Sequence, residues 1–410
     1  MGRVFPPLDE ELALLPGHAS PYLQEAITRL GTWMPFGRVP AELRFFTQTS
    51  VSAETARRLT EGAGTALVAV QTDAVEHLER DLPEPPAGPA VQQLSADGAM
   101  VPLVGGEWAE VKTLVLGTVG ARRTRDGERV AQTTDLSYFS RLTDAEQFGR
   151  LATIATHAAG TATAGTVCAV VDGAEWLQGF IALHRWDAVR ILDFPHAAEH
   201  LSLAVHAVFG PGTPAATAWL DQQLHELKHG DPAVVLAALA DLPATTPEAQ
   251  KTRATVVAYL VKRRAQIAYA DFRAKGYPIG DGAVESANKL VVEHRLKGSG
   301  MSTPCRSGHR ANVNPMVALR ACACSDQWAA TWDMIGTHRR DQEREHRRLR
   351  CQARRVRREA ACPTPPVEAV EPAEPASPLL VPVDPPPPPR EKLVIDGRPT
   401  ANHPWRKFHL

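Results

Sequence analysis

The hydrophobic pattern of the chain changes its period near residue 90. Up to that point apolar residues recur every three to four positions, which predicts helices. Beyond it they form strand-like runs, and Gly105-Gly106 joins the first two runs as a hairpin. The three predicted strands cover residues 91–103, 108–119 and 130–134.

Helices and strands then alternate along the chain. Thr143 opens a capping box for a helix that reaches about residue 157, and an apolar strand follows at 165–172. A helix at 174–184 and a strand at 189–193 complete the series. Three antiparallel-type strands followed by helix, strand, helix and strand predict an α/β fold with RNase H-like (retroviral integrase-like) topology.

The remaining segments predict the domain organisation. Residues 1–88 are expected to form a small helical domain, which a Pro-rich linker separates from a catalytic domain at 90–330. Residues 194–276 are mostly helical and predict an all-helical insertion in that domain. Residues 338–362 predict an Arg-rich helix or tail, and residues 363–410 a Pro-rich disordered tail.

Two helices in the first domain have helix-turn-helix spacing. Ser52 can cap the second helix, which is expected to stop at Gly62 and Gly64. Arg57 and Arg58 on this helix are then candidate contacts to DNA. A plain helical hairpin produces the same pattern, so both interpretations stay open.

Composition limits the class of protein. The chain has an ordinary globular composition, with 44% hydrophobic and 22% charged residues. No apolar run reaches the roughly 18 residues of a membrane span, and the chain start has no secretory signal. We therefore expect a cytoplasmic protein without a membrane partner. The six cysteines form no CxxC pair, so neither a zinc ribbon nor a disulfide framework is predicted.

Three acidic residues carry the candidate chemistry. Asp97 lies within an apolar strand and Asp172 at the end of another, where a charge is costly unless it is paired or binds a cation. Glu285 lies on a helix far downstream. Carboxylates that meet from distant elements are the hard oxygen ligands of a two-Mg²⁺ phosphoryl-transfer site. The ordinary alternatives are Asp-Gly turns at the first two positions and a solvated Glu285–Lys289 pair at the third.

The helix that carries Glu285 continues into a basic segment. Its expected core stripe consists of Val284, Ala287 and Val291. Lys289, Arg295 and Lys297 are predicted to contact phosphate oxygens beside the metal site.

A histidine motif offers an alternative function. The segment from His196 through Glu199 to His200 matches the H-x-x-E-H pattern of zinc peptidases. Two histidines four residues apart on a helix can hold Zn²⁺, with a distant carboxylate as third ligand. A zinc metallopeptidase would leave Asp97 and Asp172 without a role.

The motifs taken together resemble a known family. They are SADGAMVPL (95–103), WAEVK (108–112), VVDGAEW (170–176), ILDFPH (191–196), GAVESANK (282–289) and RLKGSGM (295–301). In this order they are similar to motifs of DDE insertion-sequence transposases of the ISKra group, which are related to mutator-like transposases.

The resemblance implies a DNA transposase that cleaves and joins the ends of an insertion sequence by two-metal phosphoryl transfer. It assigns Asp97, Asp172 and Glu285 as ligands of two Mg²⁺ (or Mn²⁺) ions and His196 as a residue that assists them. The implied partners are double-stranded DNA, as terminal inverted repeats and target DNA, and a second copy of the chain in a homodimeric synapse. The implied location is the nucleoid.

Two departures from the family pattern predict impaired activity. Relatives usually begin with a cysteine-bearing zinc module, and this chain is expected to start after that module. Residues 302–313 replace an expected helix with a segment containing Pro304, which interrupts helices. A domesticated or inactivated DNA-binding protein derived from a transposase is therefore the non-enzymatic alternative.

Overall fold

The larger of the two described sheets is mixed and has five strands. Its strands are β1 Val91–Pro102, β2 Trp108–Arg123, β3 Arg129–Arg141, β4 Thr166–Val171 and β5 Val189–Leu192. β1, β2 and β3 are antiparallel neighbours, β4 is parallel to β1, and β5 is parallel to β4. The order across the sheet is therefore β3-β2-β1-β4-β5. The predicted α/β class is confirmed.

The computed structural model describes residues 19–125, 127, 129–297 and 309–361, together with 394–395 and 398–399. The described residues up to Arg350 form one compact unit, which contains the sheet, and those from Cys351 belong to a second unit.

Helices precede the sheet, cover it and follow it. Those before the sheet are α1 Pro21–Trp33, α2 Val39–Thr47 and α3 Ala53–Asp81, and those between later strands are α4 Ala145–Ala158 and α5 Glu175–His184. After β5 come α6 Phe194–Phe209, α7 Pro214–His229, α8 Pro232–Ala240, α9 Pro247–Lys262 and α10 Tyr269–Ala274. Residues 194–276 are all described and consist of helices and connecting turns, without a strand.

The chain then forms a helix of mixed geometry at 282–296, which we call the Glu285 helix. It begins as α11 Gly282–Ala287, passes into a π-helical stretch at Asn288–Glu293 and ends as α12 His294–Leu296. Single π-helical turns inside α-helices are rare and occur often at functional sites. The remaining helices are α13 Arg310–Cys324 and α14 Trp328–Ala361.

Different helices cover the two faces of the sheet. On one face Leu94 and Ala169 pack with α4 and α5. On the other face β1 and β2 pack on the Glu285 helix and α13, and β4 and β5 pack on the helical insertion. Successive strand residues alternate between faces, so Asp97, three positions after Leu94, points to the second face.

α3 joins the N-terminal helices to the rest of the first unit. This helix has 29 residues and passes through Gly62 and Gly64, where the sequence predicted its end. A Cβ at Gly64 would lie 2.4 Å from the Pro315 carbonyl oxygen, so this glycine permits close packing on α13 and does not terminate a helix. Because α3 shares a core with α13 and α14, the described residues before 88 do not form a separate body.

Some of the predicted segments fall outside the described residues. They include the chain start, residues 302–308 and most of the predicted tail at 363–410. In the second unit, β6 Val394–Ile395 pairs with β7 Arg398–Pro399. Among the described residues, no helix combines the length and apolar character needed to cross a bilayer.

Candidate functional site

The register of β4 on β1 brings Asp97 and Asp172 to the same level. The parallel pairing ends at Leu94 and Ala169, which lie on the same face of the sheet. Asp97 and Asp172 each follow this registered pair by three residues, so strand alternation directs both toward the opposite face. This arrangement follows from strand geometry, because residues equally distant from a registered pair stay level.

The pairing of β5 with β4 adds a third carboxylate at this level. Val171 pairs with Leu192, so Asp193 follows β5 as Asp172 follows β4. The backbone N–H of Asp193 donates to the Val171 carbonyl at 2.8 Å. Acidic residues thus lie on β1 and directly after β4 and β5, which are neighbouring parallel strands; the carboxyl ends of such strands are a usual position for sites in α/β sheets.

Asp193 is buried and holds the start of the Glu285 helix. Its carboxylate accepts hydrogen bonds from the backbone N–H groups of His196, at 3.0 Å, and Asp281, at 2.9 Å. The Asp281 side chain is buried beside it. Burial and the charge of Asp193, with smaller effects of Asp97 and Glu285, raise the pKa of Asp281 to about 8. A protonated Asp281 can then share its proton with Asp193.

Asp97 faces the Glu285 helix from β1. The Nδ2 group of Asn288 donates a hydrogen bond to Asp97 Oδ2 at 2.8 Å. Burial, and then the charges of Asp172 and Glu110, raise the pKa of Asp97, although a hydrogen bond from the Gly98 backbone opposes the shift. The effect of Asp172 means that the two carboxylates lie within electrostatic reach of each other.

The Asp172 turn is fixed by the helical insertion. Its Oδ1 accepts the N–H of Ala174 at 2.9 Å, and Gly173 has a left-handed backbone with φ of +82°. The Tyr259 hydroxyl donates to the Asp172 carbonyl at 2.8 Å, and Arg263 donates to the Gly173 carbonyl at 2.6 Å. Asp172 therefore forms the Asp-Gly turn expected as an ordinary alternative, and this turn lies among other carboxylates.

Glu285 lies at the exposed side of the group. Its side chain is 56% exposed and lies 3.8 Å from the Lys289 ammonium, as the solvated-pair alternative expected. Its charge also contributes to the raised pKa values of Asp281 and Asp193, after burial in both cases. Glu285 is therefore within electrostatic reach of the buried carboxyls. We call Asp97, Asp172, Asp193, Asp281 and Glu285 the acidic cluster.

The donors around the acidic cluster suit a hard cation. Asn288 is 6% exposed, and its Oδ1 has no hydrogen-bond partner among the described residues. Carboxylates that repel one another and an unpaired amide oxygen fit Mg²⁺ or Mn²⁺, which take oxygen ligands. No three His, Cys, Asp or Glu side chains in the described parts of the chain converge into a complete metal-binding group.

The prediction that Arg295 contacts DNA is wrong, because this side chain is buried. It is 1% exposed, donates to the Gly31 carbonyl at 3.4 Å and lies with its guanidinium 4.7 Å from the Phe36 ring centre. Burial lowers its pKa to about 10, so it stays charged at neutral pH. Arg295 occupies the position four residues after Val291 and thus continues the buried stripe of the Glu285 helix.

The other predicted DNA contacts differ in how far their charge is neutralised. Arg57 forms ion pairs with two glutamates of its own helix, and Lys297 pairs with Glu293 at 2.7 Å. Arg58 is exposed on α3, and the Lys289 side chain is 72% exposed. Arg58 and Lys289 are thus the two predicted contacts most accessible to a phosphate.

A basic groove lies beside the acidic cluster and was missed by the sequence reasoning. Its volume is about 510 Å³, and it runs between β3 and the helical insertion to Gly280, which precedes Asp281. Arg129, Lys228 and Arg273 line it. These residues come from three distant segments, so no local sequence pattern could reveal the groove.

The histidine motif lies on the first turns of α6. The His196 side chain is 32% exposed, with Nδ1 3.7 Å from a Glu199 carboxylate oxygen. The rings of His196 and His200 lie 4.9 Å apart, and the ring of His200 stacks on Tyr259 at 3.9 Å. In the described residues no third His, Cys, Asp or Glu joins them as a ligand group. The zinc-peptidase alternative gains no support from this geometry.

The predicted site residues did not include Asp193, Asp281 or Asn288. Asp281 and Asn288 flank Glu285 at spacings of four and three residues, which place all three on one side of a helix. This spacing is a signal that could have identified them. Tyr259 and Arg263, which hold the Asp172 turn, carry no such signal. A search with protein-family models finds no match to this chain, and a search of curated proteins finds none either.

Proposed function

We propose that the protein is a nucleic-acid phosphoryl transferase with an RNase H-like catalytic domain. The strand order, with three antiparallel strands followed by two parallel ones, supports this class. Within the class, the motif resemblance favours a DDE transposase of the ISKra group. The protein then acts on double-stranded DNA at the nucleoid, as a homodimer that holds terminal inverted repeats and target DNA together.

The observation that carries the proposal is the common level of Asp97 and Asp172 on neighbouring strands. The Glu285 helix lies over this level, with Asn288 hydrogen-bonded to Asp97. Carboxyl groups are concentrated where the sheet alone would place apolar side chains, and the raised pKa values of Asp97, Asp193 and Asp281 mean that full ionisation is unfavourable there. Such a concentration is costly unless a cation compensates it, which makes it a candidate for a functional site.

Each residue has a defined task in this proposal. Asp97 and Asp172 would hold divalent cations from the sheet, and Glu285 would complete the ligand set from its helix. When bound, such cations would supply the charge that activates a water or 3′-hydroxyl nucleophile and stabilises the leaving oxygen. Asp193 fixes the start of the Glu285 helix. His196, on the first turn of α6, orients solvent or a sugar oxygen beside the cluster.

The basic groove provides a path for DNA to this site. Arg129, Lys228 and Arg273 carry positive charge at the rim next to Gly280, while Lys289 lies on the exposed side of the Glu285 helix. Phosphate oxygens of a strand in this groove approach the acidic cluster from the side of Asp281. Positive charge on both sides of an acidic site is what a polyanionic substrate requires.

The test is metal-dependent cleavage of DNA by the full chain. The substrate is a supercoiled plasmid carrying the sequences that flank the gene, and nicked and linear products are quantified with Mg²⁺ or Mn²⁺. Asp97→Asn and Asp172→Asn are expected to lower nicking at least about 100-fold, and Glu285→Gln to do the same. The 3′ ends are mapped to find whether cleavage falls at a repeat.

Asp135→Asn is the matched control, because Asp135 is exposed on β3 and asparagine tolerates its left-handed φ of +51°. This variant should cut as wild type does. Near-normal cutting by any of the three site variants removes that residue from the mechanism. Tight DNA binding without nicking contradicts the enzyme and favours the domesticated DNA-binding protein.

A further inference from the structure

Among the described residues, the buried side chain of Asn288 has a hydrogen-bond partner for its nitrogen but none for its oxygen, and the proposed ligand set does not explain this. Asn288 is 94% buried, as its 6% exposure implies, and a buried amide ordinarily satisfies both its donor and its acceptor. Its Nδ2 donates to Asp97, but its Oδ1 has no partner in the described structure. Leaving an amide oxygen unpaired in the interior is unfavourable. Within the described part of the chain, the oxygen end of the amide therefore holds no hydrogen bond that a rotation of the side chain would break.

The position of Asn288 places that oxygen within the acidic cluster. Asn288 follows Glu285 by three residues, so the two side chains leave the helix on one side. It is also the first residue of the π-helical stretch Asn288–Glu293. Its amide contacts Asp97, which lies level with Asp172 on the sheet. The amide of Asn288 thus lies beside Asp97 at the acidic cluster, with its nitrogen bonded to Asp97 and its oxygen unpaired by any described residue.

The chemistry of an amide allows two states at this point. With no cation present, the N–H of the amide neutralises part of the charge on Asp97. A half-turn of the amide about its terminal torsion exchanges nitrogen for oxygen with little change in shape. A cation held by Asp97 reverses the preference, because it repels the N–H and attracts the carbonyl oxygen. Amide oxygens are ordinary ligands of hard divalent cations.

We propose that Asn288 is a fourth protein ligand of the site, whose amide donates to Asp97 without a cation and turns to offer Oδ1 when a divalent cation binds. The inference rests on the proposed function, since it assumes that the acidic cluster takes Mg²⁺ or Mn²⁺. It adds an uncharged oxygen to a set otherwise made of carboxylates. An uncharged ligand reduces the number of negatively charged side chains that must lie around the cation.

The test measures Mn²⁺ binding directly, by titration calorimetry and by the loss of the free Mn²⁺ electron-spin signal, without DNA. Asn288→Ala removes the oxygen and is expected to weaken Mn²⁺ binding about tenfold or more. Asn288→Asp supplies a charged oxygen at the same place. It should bind Mn²⁺ at least as tightly as wild type, but unfold at a lower temperature in the absence of metal because it repels Asp97.

Asn314→Ala is the matched control, because Asn314 also bonds through its side chain, to the backbone of Leu142, away from the site. This variant should lose stability and keep its Mn²⁺ affinity. An Asn288→Ala protein that binds Mn²⁺ as tightly as wild type overturns the inference. If Asn288→Ala does not fold, Asn288→Asp decides, and loss of Mn²⁺ binding in that variant also overturns it.

Parallel nicking assays separate this inference from the proposed function. Mn²⁺ binding that depends on Asp97 and Asn288, in a protein that never cuts DNA, supports the ligand and contradicts the transposase. If Asn288→Ala still cuts DNA and binds Mn²⁺ as tightly as wild type, the result supports the transposase and contradicts the ligand. Absence of any Mn²⁺ binding that depends on Asp97 overturns the ligand assignment.

Discussion

Opposite charges are paired on the N-terminal helix α3, whereas like charges are gathered in the acidic cluster. Along α3, Arg57 lies between Glu54 and Glu61, so its charge is neutralised by its own helix. In the acidic cluster, the charges of Asp193, Asp97 and Glu285 add to burial in raising the pKa of Asp281. Charges paired within a helix stabilise that helix and need no ligand. Like charges gathered in a buried place lower stability until something binds.

A cluster of like charges, more than a charged residue as such, indicates a candidate site in this fold. The arginines of the predicted helix-turn-helix and the aspartates of the sheet are equally conspicuous in the sequence. Arg57 is paired with glutamates and Arg58 is exposed to solvent, whereas the aspartates lie beside other carboxylates. Functional sites often carry a local cost in stability that the rest of the fold offsets. Four predictions probe this contrast, starting with the largest effect.

Gly173→Ala should lower the free energy of unfolding most, because it alters the turn that positions Asp172. A Cβ there would lie 2.6 Å from the Tyr259 hydroxyl and 2.8 Å from Arg263 Nε, on a backbone with φ of +82°. We expect a loss of about 2–4 kcal/mol in the free energy of unfolding, from strain and overpacking together. Urea denaturation measures it. Gly276→Ala, with φ of +75° and open space around it, should lose only about 1 kcal/mol.

Gly64→Ala tests the packing of the N-terminal helices. Its Cβ would approach the Pro315 backbone to 2.4 Å, so the free energy of unfolding should fall by about 1–3 kcal/mol. Gly62→Ala, two residues earlier on α3 with nothing within 4 Å, should stabilise the protein by about 0.5–1 kcal/mol. If both variants lose stability equally, close packing of α3 on α13 is not the reason for Gly64. DNA nicking per folded molecule should stay normal in both.

Asp281→Asn should change how stability depends on pH. The pKa of Asp281 is raised to about 8 in the folded protein, so the folded state binds more protons than the unfolded state between about pH 4 and 8. Its contribution to stability is therefore complete at low pH and is lost as the pH rises through about 8. Asparagine at this position carries no charge, so the variant should lose less stability than wild type over that interval, without divalent cations. Thermal unfolding at several pH values measures this, and identical profiles would contradict the burial of an ionisable pair.

The smallest expected effect concerns DNA affinity. Arg129→Ala, in the basic groove, should weaken DNA binding a few-fold and lower its salt dependence by about one released ion. Arg57→Ala should leave both quantities unchanged, because Arg57 is already paired with glutamates. Fluorescence anisotropy at several salt concentrations distinguishes them. The opposite ranking would restore the helix-turn-helix as the main DNA contact.

Much of the sheet could be predicted from the sequence. The period of two at 91–103 and the apolar run at 165–172 located β1 and β4, and their lengths set Asp97 and Asp172 at equal distances from the start of each strand. β3 was predicted too short, because Asp135, with φ of +51°, interrupts its alternation and shifts its register on β2. Local pattern therefore identified the strands but missed an irregularity within one of them.

The parts that failed depend on contacts between distant segments. Whether Gly64 ends a helix depends on the approach of α13, about 250 residues away. Arg295 looked like a phosphate ligand because of its charge, although its spacing from Val291 indicated the interior. The interpretation relied on the charge of Arg295, but its helical spacing from Val291 predicted its position correctly. The pairing of Asp193 with Asp281 joins two ends of a long insertion, which a local pattern cannot show.

The π-helical stretch of the Glu285 helix accommodates one more residue than an α-helix of the same number of turns. The extra residue changes the rotation of the side chains after it relative to those before it. The upstream half can aim Glu285 and Asn288 at the strands, while the downstream half keeps Arg295 against the N-terminal helices. In a regular α-helix the constant rotation per residue would fix one orientation relative to the other. The irregular turn lets the end that carries Glu285 and the end that carries Arg295 be oriented independently.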